Sequence, residues 1–140
     1  MEEFGAEVDF LMVYIREAHA SDQWPLGNIV SIEQHKDLQS RIAAAKNLEE
    51  NFDFKMKIVV DNMDNQFNKQ FLAWPERYYF FRGHHFSKIS LPANEFGFDR
   101  LELRKNLYIG TATCEEGEEL PPLPAAKYPV FSDVPIDTGK

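Results

Sequence analysis

Glu17 and His19 stand two residues apart, directly after an apolar run from Val8 to Ile15 whose single charge is Asp9. A carboxylate beside an imidazole can orient and relay a proton, because histidine ordinarily titrates near neutrality. The run suits a pleated strand: Val, Phe, Tyr and Ile favour extended backbone, and the stretch is too short for a lone helix. A strand apolar on both faces is expected centrally in a sheet covered on both sides. Ligands of open α/β sheets bind beyond the carboxyl ends of the strands. The polar group Arg16, Glu17, His19, Ser21 and Asp22 falls there. If strand geometry persists through residue 19, Glu17 and His19 share one face, and Arg16 and Ala18 take the other.

Other residues invite chemistry less directly. Trp24 can line a site for an aromatic ligand or anchor its own loop. His35 opens the clearest helix, where it is either solvent-facing or part of a site. His84 and His85 are adjacent in a strand, so their side chains diverge and would chelate one ion poorly. The segment Asp61 to Asn65, DNMDN, is no calcium loop: Met63 takes a ligand position, and the Gly and distal Glu are missing. Asp61, Asn62 or Asp64 is expected instead to cap the helix that follows. No metal is expected. The single cysteine, Cys114, has no partner for a disulfide or a CxxC pair, which makes it a poor nucleophile.

The elements that must position these residues are legible from periodicity. Leu38, Ile42, Ala45, Leu48 and Phe52 recur at helical spacing, so His35 to Phe52 reads as a helix with Arg41, Ala43 and Ala44 as good helix formers. A loop over residues 20–34, with Pro25 and Gly27, precedes it. Lys55 to Val60 reads as a strand with Lys55 and Lys57 on one face. Asp64 to Ala73 reads as a short helix with Phe67, Phe71 and Leu72 turned inward. Pro75 precedes a strand from Arg77 to Phe81, and Gly83 turns the chain into a second strand, His85 to Leu91. Phe96 to Leu107 is the closing helix, apolar at Phe98, Leu101, Leu103 and Leu107 and polar at Arg100, Arg104 and Lys105. From Thr111 onward glutamates and prolines dominate, a composition that cannot build a second core. The expectation is one α/β domain over residues 1–110 and an irregular tail over 111–140.

Composition sets outer bounds. A net charge of −8 on 140 residues excludes general binding to nucleic-acid backbones. No apolar run is long enough to span a bilayer, and the first residues lack a signal-peptide pattern, so a soluble, cytoplasmic chain is expected.

The segment YIREAHASDQW resembles Y-I-x-E-A-H-P-S-D-x-W of the iodothyronine deiodinases, which are selenoenzymes with a thioredoxin-like fold. Gln34-His35-Lys36, Arg41-Ile42-Ala43-Ala44-Ala45, Val60 to Asn65 and Pro75-Glu76-Arg77-Tyr78 match further family motifs in order, so that the likeness runs from about Val8 to Leu107. It implies a central mixed sheet flanked by helices, without its first strand and helix. It implies reductive removal of iodide from an iodothyronine or another halogenated phenol, with a thiol reductant as cosubstrate and no bound cofactor. Glu17 and His19 would relay the proton, His35 and Trp24 would surround the substrate, and Arg41 and Pro75 would support the site, Pro75 as a cis-proline. A homodimer is possible on the same grounds, and relatives can be membrane-anchored. The family's Gly-rich turn with a basic residue is replaced here by Pro92-Ala93-Asn94-Glu95, and Arg100 is a candidate substitute. The family's selenocysteine belongs to an element preceding Val8. The expectation is a reading frame truncated at a selenocysteine codon, which the coding sequence upstream of Met1 would reveal. The alternatives are a non-catalytic thioredoxin-like module that binds a ligand or protein, and a partial chain whose unpaired strand edge prevents a stable fold alone.

Overall fold

Parallel strands need a crossover, and the first half of the chain supplies one. The computed structural model describes residues 4–25, 31–93 and 97–111. Strand β1 (Leu11–Tyr14) leads through a loop to helix α1 (Leu38–Phe52) and back to strand β2 (Lys57–Val60). The two strands pair in parallel, Leu11 opposite Lys57 and Tyr14 opposite Val60. Helix α2 (Gln66–Phe71), strands β3 (Tyr78–Arg82) and β4 (His85–Ser90), and helix α3 (Arg100–Thr111) follow. The class is mixed α/β with small sheets, arranged as two compact units that divide between Glu76 and Arg77. No helix among the described residues is long and apolar enough to cross a membrane.

In the first unit β1 is shorter than the apolar run that encodes it. The backbone N–H of Val8 bonds back to the Phe4 carbonyl in a turn, and pairing begins only at Leu11. Leu11 is 59 % exposed, so the strand is not covered on both faces at its start. Helix α1 begins at Leu38 rather than His35, because Asp37 and Ser40 form a reciprocal capping box. The Asp37 carboxylate accepts the Ser40 N–H at 2.7 Å, and Ser40 Oγ accepts the Asp37 N–H at 3.2 Å. The helix ends at Asp53 in the left-handed conformation, φ 51°. Strand β2 starts at Lys57, and Lys55 before it pairs with Asp53.

The inward face of α1 contains a charge. Arg41 falls on the stripe of Leu38, Ile42 and Ala45, and it is only 2 % exposed. Its guanidinium donates to the carbonyl oxygens of Asp61 (2.9 Å) and Asn62 (2.8 Å) and to Oδ1 of Asn65 (3.1 Å). Asp61 is itself buried. Its carboxylate accepts the N–H groups of Phe67 and Asn68, both at 3.0 Å, and so caps α2. The capping reading of the DNMDN segment therefore holds through Asp61. Asn65, at the formal cap position, makes no side-chain capping bond. Leu72 does not turn inward: it ends α2 in the left-handed region at φ 54° and is 68 % exposed. Asn68 Oδ1 then takes the Trp74 N–H at 2.9 Å, and the Trp74–Pro75 peptide is cis.

In the second unit β3 and β4 form an antiparallel hairpin, with Arg82 opposite His85 and an irregularity at Phe80/Phe81. Gly83 opens the two-residue turn at φ 59°, the positive value that a tight hairpin requires. Asp99 caps α3 by accepting the Leu101 N–H at 2.8 Å. The Phe98 ring meets Tyr78 edge-on, and Lys88 pairs with Glu102 at 2.7 Å. The expected face of α3 is corrected at two positions. Leu101 is exposed, whereas Arg104 is buried with its guanidinium over the Tyr108 ring at 5.4 Å. A long aliphatic stem and a ring partner let an arginine take a position that polarity alone assigns to the surface. Gly27, Asn94, Glu95, Phe96, Cys114 and the expected tail beyond Thr111 lie outside the described residues.

Removing the Arg41 guanidinium leaves buried carbonyls without donors. Arg41→Met is expected to lower stability by about 3 kcal/mol or more, read as a fall in the urea midpoint, with Arg41→Lys recovering only part. An unchanged midpoint would contradict the role given to this side chain.

Candidate active site

Beyond Tyr14 the alternation of a strand stops, and bends at Arg16 and at residues 18 and 19 replace it. The expected pairing of Glu17 with His19 on one strand face is therefore not what forms. The strand ends here because the Tyr14 carbonyl takes the Asp61 N–H at 2.9 Å, the last rung between β1 and the exit of β2.

Glu17 is held by a residue seventeen positions away. The Gln34 side chain accepts the Glu17 N–H at 3.1 Å and donates to the Glu17 carbonyl at 3.1 Å, as a neighbouring strand would. Gln34 is fixed in turn by Asp22, whose carboxylate accepts its backbone N–H at 2.8 Å. The Ser21 N–H donates to the Ile32 carbonyl at 2.9 Å, so both limbs of the loop are tied together.

This clamp delivers the next residue, His35, to the Glu17 carboxylate. His35 Nε2 lies 3.6 Å from Glu17 Oε1, an electrostatic contact longer than a hydrogen bond. The Tyr14 hydroxyl donates to the same oxygen. The Tyr14 and His35 rings lie 5.6 Å apart and tilted at 46°. Burial lowers the His35 pKa from its ordinary 6.5; Glu17 opposes that shift and Arg41 adds to it. The Tyr14 phenol is pushed far above its usual range, first by burial and then by the Glu17 carboxylate. At neutral pH Tyr14 is thus a fixed donor and His35 a neutral base. Neither His35 nitrogen has a hydrogen-bond partner among the described residues. A phenol and an uncommitted imidazole that meet at one carboxylate oxygen can pass a proton through it. His35 also walls an open groove of about 290 Å³ at the start of α1, with Ile32, Gln34, Asp37, Ser40 and Ala44.

His19 lies in a second cluster. Its ring is 4.7 Å from that of Trp24, and Trp24 lies 6.5 Å from Trp74. The Arg16 guanidinium sits over the Trp74 ring at 5.4 Å. The structure thus joins Glu17 to His35 and His19 to Trp24, with Arg41 buried behind them and Pro75 next to Trp74 in the chain. Tyr14, Gln34 and Trp74 escaped the reading of the sequence as site residues. A signal existed for Gln34, which adjoins His35, and for Tyr14, three residues before Glu17. None existed for Trp74, which reaches the cluster only through α2 and Asn68. No group of three or more His, Cys, Asp or Glu that could hold a metal ion occurs among the described residues.

Comparison with known proteins agrees with the sequence likeness. A family model described as iodothyronine deiodinase matches residues 1–107. Type I iodothyronine deiodinase of Xenopus laevis is 44 % identical over 79 residues, 56 % of this chain and 31 % of that protein. The type II enzyme of Aquarana catesbeiana is 44 % identical over 72 residues, and that of Homo sapiens 40 % over 74; each match covers 49 % of this chain and 27 % of the relative. The chain therefore spans about a third or less of the length of these relatives.

The buried neutral imidazole sets a pH dependence. The folded pKa of His35 lies below the unfolded value of 6.5, so between the two the unfolded chain binds more protons and stability rises with pH. Stability from this residue is complete above about 6.5 and is lost as pH falls from there towards the folded value. Urea midpoints between pH 7.5 and pH 5.5 are expected to show this decline, and His35→Gln to flatten it. An unaltered pH slope in the variant would contradict the placement of His35.

Proposed function

The chain belongs to the iodothyronine deiodinase family, and on that premise we propose that it is the proton-handling and ring-binding segment of a thioredoxin-like reductive dehalogenase. The order of β1–α1–β2 followed by a β3–β4 hairpin and α3 fits such a fold. The substrate is an iodothyronine or another halogenated phenol. The meeting of half-buried Tyr14 and Glu17 with buried His35 is the observation that carries this reading.

In the reaction a selenolate or thiolate attacks the iodine. The electron pair of the carbon–iodine bond stays with the ring carbon, which takes a proton. The resulting selenenyl or sulfenyl iodide is then reduced by a thiol cosubstrate, with release of iodide. Neither imidazole nor carboxylate is soft enough to replace that nucleophile, so the residues described here do the other half of the work. Glu17, tied to Tyr14 and facing His35, stores and moves the proton. His35, neutral and without a hydrogen-bond partner among the described residues, offers its imidazole to the phenol or to the ring carbon. His19 and Trp24 hold the aromatic ring.

The test is a chimera in which residues 1–107 replace the matching segment of the Xenopus laevis type I relative. It is expected to release iodide from an iodothyronine in the presence of a thiol. Glu17→Gln in that chimera should lower kcat by about 100-fold with a much smaller effect on KM. Full activity of the Glu17→Gln chimera would remove the proton relay from the account.

A further inference from the structure

We infer that Gln34 is a positioning residue of the proton relay: its side-chain amide, with Asp22 fixing its main chain, sets the approach of His35 to Glu17. The inference rests on the proposed reading of Glu17 and His35 and adds to it the group that brings them together.

Three observations carry it. First, the Glu17 backbone lies beyond the last rung of β1, and the Gln34 amide supplies both hydrogen bonds that it makes among the described residues, each at 3.1 Å. A carboxamide suits this place because it offers an acceptor and a donor side by side. A second acceptor, Gln23 Oε1 at 3.4 Å from Gln34 Nε2, fixes which way round the amide stands. Second, the His35 imidazole makes no hydrogen bond among the described residues, although its side chain is only 2 % exposed. A ring without such bonds is placed by packing and by the backbone that carries it, and that backbone leaves Gln34. Third, the Asp22 carboxylate takes the Gln34 N–H at 2.8 Å, so the clamp is itself held. Gln34 thus grips Glu17 through its side chain and carries His35 on its main chain. One residue governs both sides of the 3.6 Å approach between His35 Nε2 and Glu17 Oε1.

Gln34→Met keeps the length of the side chain and removes its donor and acceptor. The first readout is NMR of the whole chain, which is expected to show cross-peaks between the ring protons of Tyr14 and His35, whose centroids lie 5.6 Å apart. Gln34→Met should abolish them, while cross-peaks between the stacked rings of Phe67 and Phe71 persist and report a folded unit. Asp22→Ala, which releases only the Gln34 main chain, is the second variant and should weaken the same cross-peaks; Asp22→Asn, which keeps an acceptor, should preserve them. The second readout is kinetic, in the chimera. There Gln34→Met should lower kcat about 10-fold or more with KM little changed, because a displaced relay fails in the chemical step rather than in binding. In the Glu17→Gln background the same substitution should lower kcat no further, since it acts through Glu17. Tyr14–His35 cross-peaks that survive both Gln34→Met and Asp22→Ala, or an equal loss of kcat with and without the Glu17 carboxylate, would overturn this role while leaving the proposed function standing. A chimera that is inactive before any substitution would overturn the two together.

Discussion

The buried guanidinium of Arg41 is the constraint on which the first unit depends. A charge removed from water costs several kcal/mol unless its donors are met. Here the two terminal nitrogens donate to the carbonyls of Asp61 and Asn62 and to the Asn65 side chain, while Nε has no partner among the described residues. That requirement fixes α1 against the exit of β2. Asp61 then distributes the constraint in two directions. Its backbone N–H reaches Tyr14 at the end of β1, and its carboxylate reaches the first N–H groups of α2.

Both functional clusters hang from this point. Tyr14, placed by Asp61, carries the hydroxyl that meets Glu17. Asn68, placed by the Asp61 carboxylate, holds the backbone of Trp74. The remaining partner, His35, arrives from the loop through the Gln34 clamp and sits just before the capping box of α1. Hydrogen bonds thus join the relay and the aromatic row to one buried ion. The bonds made to Arg41, Asp61 and Gln34 hold the backbone around the relay, and proton transfer needs its groups held in place.

Much of this was legible in the residues. The stripe of Leu38, Ile42, Ala45 and Phe52 announces α1, and Gly83 between aromatic runs announces the hairpin. The likeness around YIREAHASDQW announces the family. The misreadings share a physical cause: local pattern does not contain tertiary partners. Glu17 and His19 seem paired by alternation, but the last rung at Tyr14 ends the strand and sends them to different neighbours. Arg41 reads by itself only as a good helix former, although its place within an apolar stripe was a signal that it must find acceptors inside. Leu72 reads as core by composition, yet a left-handed helix end turns it outward. Arg104 reads as solvent-facing, and an aromatic ring receives it instead. Asp61 was readable as a cap because its chemistry is local.

The most direct measurement of the central claim is a chemical-shift map of the chain titrated with 2,6-diiodophenol. The account predicts that the largest changes fall on the imidazole signals of His19 and His35, the indole of Trp24 and the amide of Glu17. Changes concentrated on the β3–β4 hairpin, with those residues unmoved, would contradict it.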